Sequence, residues 1–191
     1  MKIAEVRRIP RGAVRVELPC VVQRTDHTCG AAAVLAVSRY FGSGPGTEAA
    51  VARDMGFGAG GSDPGHLVRA LRRYRLAYIE HRAMTDTELC AELDRGRPVI
   101  VMLQAWGERA RYRGHWRDGH WVAAIGHDAR GIFVEDPLID GARGFVTYAA
   151  LADRWHDLEG RTDRRVWRYG LSVWGTRVRG AQRVRCAISP G

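Results

Sequence analysis

Gln23-Arg24-Thr25-Asp26-His27-Thr28-Cys29-Gly30 runs without a break into Ala31-Ala32-Ala33-Val34-Leu35-Ala36-Val37, and this junction decides the reading of the chain. A run of small and branched apolar residues of this kind reads as a buried helix, and it starts at a cysteine. A thiol at a helix start feels backbone N–H groups that have no partner inside the helix, together with the positive end of the helix dipole. Both favour the thiolate. The amide of Gln23, six residues upstream, is a donor that can turn back toward the same point and meet the negative oxygen formed when a carbonyl is attacked. Cys29 and Gln23 therefore make half of an acyl-transfer site.

The other half should be a histidine and an orienting acid brought in by the fold. Gly119-His120-Trp121-Val122-Ala123-Ala124-Ile125-Gly126 is followed by His127-Asp128-Ala129-Arg130-Gly131 and then by Ile132-Phe133-Val134-Glu135-Asp136-Pro137. Two short runs rich in branched apolar residues, separated by a polar turn with glycine, predict a β-hairpin. His120 then opens the first strand and Asp136 closes the second, so strand pairing sets a base beside its orienter. Each residue also has a plainer reading. Cys29 suits a small hydrophobe packed at a helix start, and Asp136 suits the turn that Asp-Pro commonly begins. His115 and His127 flank His120, yet their spacing places no two imidazoles on one helical face and no HExxH is present, so no metal is implied. His127 falls in the turn, and His27 reads as a residue of the cleft rim.

The runs QRTDHTCGAAAVLAVSRYFG, GFGAGGSDPGHLVRALRRYRLAY, GRPVIVML and GHWVAAIGHDARGIFVEDP resemble, in that order, the papain-like cysteine peptidases that process bacteriocin leaders after a double glycine. The resemblance covers residues 18 to 157. It implies an α+β, two-lobed papain-like fold, with an N-terminal helical lobe carrying the cysteine and a C-terminal antiparallel sheet lobe. It also implies Gln23 as oxyanion-hole donor, Cys29 as nucleophile, His120 as general base and Asp136 as the histidine-orienting acid. The implied activity is a thiol protease that hydrolyses a peptide bond through a thioester and removes the leader of a precursor peptide after Gly-Gly, with a separate export transporter as partner and no cofactor. Two other functions stay open: an acyltransferase or amidase using the same Cys-His-Asp site, and a peptide-binding module. The segment AWGERARYRGHWRD, residues 105–118, matches no recognisable pattern.

The 191 residues suffice for one domain with a full core, so residues 1–191 are expected to form a single peptidase domain, with residues 160–191 as a C-terminal strand extension. A net charge of +9 invites nucleic acid as a partner. Lys2 is the only lysine, however, and the arginines are scattered without an aromatic platform, which favours an acidic peptide over nucleic acid. Arg177, Arg179, Arg183 and Arg185 would share one face of an extended strand, or simply form a solvated edge. No stretch approaches the length of a membrane helix, and a soluble, cytoplasmic protein is expected. Cys20, Cys29, Cys90 and Cys186 show no close pairing, so free thiols are expected, inert except at Cys29.

Along the chain, Val14 to Val22 predicts a strand, Cys29 to Phe41 a helix, and Thr47 to Met55 a second helix capped by threonine. The loop of residues 56–62 lacks the ending of a phosphate cradle and reads as a flexible connection. Ser62 or Asp63 with Pro64 starts a third helix. A strand at Leu76 to Ile79, a helix at Asp86 to Arg95 and a buried strand at Pro98 to Leu103 follow. After the hairpin come a short strand and a helix anchored by Phe145 and Trp155, and a final strand from Val166 to Trp174.

Overall fold

The computed structural model describes residues 3–13, 15–105, 111–160 and 164–176. At its centre is helix α1 (Cys29–Tyr40), in which every residue from Cys29 to Ser38 is buried. A helix with no polar stripe must be enclosed on all sides. It lies between strand β4 (Gly119–His127) on one side and helices α2 (Glu48–Met55) and α3 (Pro64–Arg73) on the other. Its four alanines let those neighbours approach closely, while Val34, Leu35 and Val37 each contribute roughly 1.5–3 kcal/mol by leaving water.

The flanking helices start where their caps dictate. The Thr47 hydroxyl accepts from the Ala50 N–H at 3.3 Å, and α2 stops at Gly56 in the left-handed conformation, φ 75°. At α3 the Asp63 carboxylate accepts from the His66 N–H at 3.1 Å, His66 Nδ1 accepts from the Asp63 N–H at 3.1 Å, and Pro64 holds the first turn.

The remaining frame is a seven-stranded, fully antiparallel sheet. Besides β4 it contains β1 (Ala4–Val6), β2 (Ala77–Arg82), β3 (Val99–Gln104), β5 (Gly131–Glu135), β6 (Arg143–Thr147) and β9 (Tyr169–Trp174), in the order β1-β6-β5-β4-β3-β9-β2. Along β3 and β4 the side chains alternate between two cores. Ile100, Met102, Trp121, Ala123 and Ile125 join the cluster around α1, whereas Val99, Val101, Val122 and Ala124 join Leu89, Leu93, Leu151 and Trp155 on the other face. Helices α4 (Asp86–Asp94) and α5 (Tyr148–Arg154) cover that second face. Burial on both faces is why these strands read as continuous apolar runs. Of the two expected anchors, Trp155 is fully buried and Phe145 partly so.

The structure departs from the expected elements at several points. Residues 15–22 form no strand. Instead this segment is held by single bonds, from the Arg15 and Val16 N–H groups to the Ile125 carbonyl and from the Gln23 N–H to the Pro137 carbonyl, all at 2.9 Å. The strand expected from Val166 to Trp174 is broken at Arg168, which takes a left-handed conformation with φ 52°. Its guanidinium donates to the Met84 carbonyl at 2.6 Å and pairs with Asp86, offsetting the strain of that backbone. The break separates β9 from β8 (Arg164–Trp167), which pairs with β7 (His156–Glu159) in a two-stranded ribbon that the sequence did not signal. Strand β9 lies inside the main sheet between β3 and β2, so residues 169–174 are part of that sheet. Cys20 is disulfide-bonded, which corrects the expectation of free thiols, while Cys29 and Cys90 are free. Arg177, Arg179, Arg183, Arg185 and Cys186 lie outside the described residues. No helix among the described residues is long and apolar enough to cross a membrane.

Candidate active site

Cys29 opens α1, as expected, with 7% of its surface exposed. No side chain caps this helix. The Thr28 hydroxyl donates instead to the Thr25 carbonyl at 3.1 Å, and no acidic residue stands in the first turn. The amide groups at the start of α1 thus remain available to an incoming negative charge. Gly30 is required by close packing: a Cβ there would meet Ser62 Oγ at 2.1 Å and the Trp121 ring at 3.1 Å. Trp121 Nε1 donates to the Ser62 carbonyl at 2.9 Å, so the end of the glycine-rich loop is fastened against the start of α1. At Ser62 that loop is packed against the start of α1 and is not a loose connection.

His120 is the second residue of β4, and Asp136 follows the last residue of β5. The register pairs Ala123 with Glu135, so the next step would set Val122 opposite Asp136. His120 is therefore a diagonal neighbour of Asp136, within the reach of long side chains across a strand pair. Their side chains meet, with His120 Nε2 2.7 Å from Asp136 Oδ1, and both are buried, at 0% and 3% side-chain exposure. Asp136 Oδ1 also accepts from the Leu138 N–H at 3.0 Å, which fixes the carboxylate. Burial alone pushes the His120 imidazole toward neutrality. Hydrogen bonds to Asp136 and to Cys29, together with their negative charge, more than reverse that effect and raise its pKa to about 9. The same interactions link all three residues, which lie far apart in sequence.

Gln23 sits in the loop before α1. Its backbone N–H donates to the Pro137 carbonyl, one residue past Asp136, and its side-chain Nε2 donates to the Thr25 carbonyl at 2.7 Å. A carboxylamide nitrogen carries two N–H groups, so one remains for a ligand. Two residues that sequence reasoning missed hold this loop in place. Glu135, 1% exposed, accepts from the Val21 N–H at 3.0 Å and pairs with Arg143, whose guanidinium also donates to the Leu18 carbonyl at 2.6 Å. A lone acid ending an otherwise apolar strand, Ile132-Phe133-Val134-Glu135, was the signal available for it, because a buried carboxylate needs a partner.

A family model described as the Peptidase C39-like family matches residues 15–162. The chain belongs to the peptidase C39-like family. Solved structures share its fold at low identity. The peptidase domain of Streptococcus ComA, a bi-functional ABC transporter involved in quorum sensing, is 17% identical with a TM-score of 0.59, over 82% of this chain and 97% of that one. A putative C39-like peptidase from Bacillus anthracis is 14% identical with a TM-score of 0.67, over 87% and 98%. A double glycine motif protease from an AMS/PCAT transporter, solved with a leader peptide, is 18% identical with a TM-score of 0.58, over 86% and 95%. Among curated proteins, none is similar enough in sequence to be matched.

Two other histidines of this C39-like chain, His27 and His127, have partners of their own. His27 is half-buried in the loop before α1, 3.4 Å from the Thr25 hydroxyl, and His127 ends β4 with its Nε2 3.1 Å from Asp94. Behind His120 lies a further polar group that the sequence did not indicate. Gln104, fully buried, donates to Asp157 Oδ1 at 2.9 Å and to the His156 carbonyl at 3.1 Å, and accepts from the Asp118 N–H at 3.0 Å. The Asp157 carboxylate presses on Gly119 so closely that a Cβ there would lie 1.8 Å from Oδ2. Residue 119 must therefore be glycine, and the start of β4 is wedged in position.

Burial raises the Asp157 pKa to about 6; the bonds from Leu158 and Gln104 lower it, and Asp118 adds a further upward push. A carboxyl group held above its ordinary 3.8 gives up folding stability as pH rises from 3.8 through 6, because the folded state retains the proton that the unfolded state loses. Asp157→Asn keeps the accepting oxygen and removes the charge. We expect it to stabilise the protein at pH 8 by up to about 3 kcal/mol, with the gain vanishing near pH 4. Thermal unfolding at the two pH values measures this directly. A variant less stable than the parent at pH 8 would show that the ionised carboxylate contributes to the fold.

Proposed function

We propose that this chain is a cysteine peptidase that cuts its substrate through a thioester on Cys29 and removes a leader after Gly-Gly. The observation that carries the proposal is the buried His120–Asp136 pair at 2.7 Å, whose imidazole also interacts electrostatically with a cysteine at an uncapped helix start. The Cys29 thiolate attacks the scissile carbonyl while His120 is imidazolium. The carbonyl oxygen becomes negative and is met by the Cys29 backbone N–H and by Gln23 Nε2. His120 gives its proton to the leaving amine, so the C–N bond breaks and the thioester remains. His120, now neutral, takes a proton from water, whose oxygen attacks the thioester and frees Cys29. Asp136 keeps Nε2 protonated and leaves Nδ1 directed to sulfur.

The preference for Gly-Gly rests on the family and on the double glycine protease among the structural neighbours. A precursor peptide is the proposed substrate, and a separate export transporter the proposed partner. Cleavage ahead of export would take place in the cytoplasm, where the Cys20 bridge would be held reduced.

Mass spectrometry of a peptide panel tests the proposal. Peptides with Gly-Gly before the cut should be hydrolysed, and those with Ala-Ala should not. Gln23→Ala should lower kcat by about 10²–10³-fold with little change in KM, since an oxyanion donor acts on the transition state. Release of the amine fragment accompanied by a new amide with an added amine would make the enzyme an acyltransferase. An unchanged rate in Gln23→Ala would remove Gln23 from the mechanism.

A further inference from the structure

The β7–β8 ribbon and residues 111–118 enclose an open groove of about 570 Å³, lined by Arg113, Gly114, Trp116, Arg165 and Trp167. Its floor is built from rings. Trp116 and Trp167 meet edge to face with centroids 4.8 Å apart, and the buried His156 ring lies 4.5 Å from the first and 4.6 Å from the second. His156 Nε2 donates to the His115 carbonyl at 2.8 Å, so the imidazole is fixed, and burial favours its neutral form. Trp167 nevertheless leaves 42% of its surface in water, a large apolar exposure for a side chain so well supported. A rigid indole of this kind binds a ligand at low entropic cost.

The charges on the groove are of one sign. The Arg165 guanidinium lies 4.8 Å over the Trp116 ring. Neither Arg165 nor Arg113 has a carboxylate partner among the described residues, although their neighbours Arg164 and Arg82 both pair with Glu159. Two guanidinium groups with no carboxylate partner among the described residues, set beside an apolar floor, are complementary to a carboxylate next to an apolar side chain. The groove also adjoins the site in the chain. Residues 111–118 lead directly into Gly119 and His120, and His156 precedes Asp157, whose carboxylate presses on Gly119.

We propose that this groove docks the substrate peptide away from the scissile bond, taking a segment in which an acidic residue neighbours an aromatic or long aliphatic one. The inference rests on the peptidase function for the identity of its occupant. Stacking of a single-stranded nucleic acid is the competing use of tryptophan and arginine together. Two cations on one short groove make no track for a phosphate backbone, and the family acts on peptides.

Binding to the uncleaving Cys29→Ala protein tests it, read as tryptophan fluorescence during titration. The probes are acetyl-Gly-Glu-Leu-Asp-Phe-Gly amide, its lysine counterpart acetyl-Gly-Lys-Leu-Lys-Phe-Gly amide, and an eight-residue oligothymidylate. The acidic peptide should bind at least about tenfold more tightly than the lysine peptide, and should lose about tenfold in affinity with Trp167→Ala and again with Arg165→Glu. Arg165 is exposed, so its substitution leaves the core intact even if loss of Trp167 disturbs the ribbon. Equal binding of the two peptides, or acidic binding unaffected by Arg165→Glu, overturns the proposal. Tighter binding of the oligothymidylate than of the acidic peptide transfers the groove to nucleic acid. An acidic Gly-Gly peptide that binds the groove but is never cut by the Cys29 protein counts against the catalytic mechanism alone, and a cut peptide insensitive to both groove variants counts against the groove alone.

Discussion

His120→Ala is expected to reduce peptide cleavage by about 10⁴-fold or more, close to the loss from Cys29→Ala, because removing one member of a nucleophile–base unit disables the whole. Under the proposed mechanism the parent protein should also show a distinctive pH dependence. In that mechanism cleavage needs the imidazolium, and Asp136 and Cys29 hold the His120 pKa at about 9 although burial opposes them. The alkaline limb of kcat/KM should therefore lie near pH 9 and not near the 6.5 of an ordinary histidine. Steady-state rates from pH 5 to 10 check both points. An alkaline limb near 6.5 would mean that the imidazolium is not held by its two neighbours.

Asp136→Ala should cost about 10²–10⁴-fold in kcat, with KM little changed. The carboxylate touches His120 at 2.7 Å and is itself held by the Leu138 N–H. Two effects combine. The imidazole loses the partner that fixes its tautomer, and it loses a negative charge while staying buried. Burial favours the neutral ring, so the sign of the pH effect follows: the alkaline limb should move below 9. A purely structural role for Asp136 would lower the amount of folded enzyme without moving that limb. Circular dichroism alongside the pH profile separates the two outcomes.

The sequence carried the local features well. Thr47, Asp63 and Pro64 mark helix starts through their own chemistry, and the apolar run after Cys29 leaves no alternative to a buried helix. The hairpin of residues 119–135 was equally legible, because branched runs around a polar turn have few other uses. What failed depended on distant partners. Residues 15–22 alternate like a strand, yet their N–H groups find isolated carbonyls instead of a ladder. Arg168 breaks a strand because Met84 and Asp86 anchor its side chain, and neither residue is near it in sequence. The Cys20 disulfide, the Gln104–Asp157 group behind Gly119 and the Glu135–Arg143 pair beneath the Gln23 loop are contacts made by tertiary folding, and no short motif announces them.

Limiting iodoacetamide at pH 6 tests the proposed reactive pair of Cys29 and His120 with no knowledge of the substrate. Cys90 is the internal comparison, since it is free and its sulfur lies 3.3 Å from the Tyr148 hydroxyl, which supplies no positive charge. Peptide mapping should find Cys29 alkylated well ahead of Cys90, and His120→Ala should abolish that preference by removing the imidazole beside the sulfur. Equal labelling of Cys29 and Cys90, or preferential labelling of Cys29 that survives His120→Ala, would contradict the pair and return Cys29 to a packing role at the start of α1.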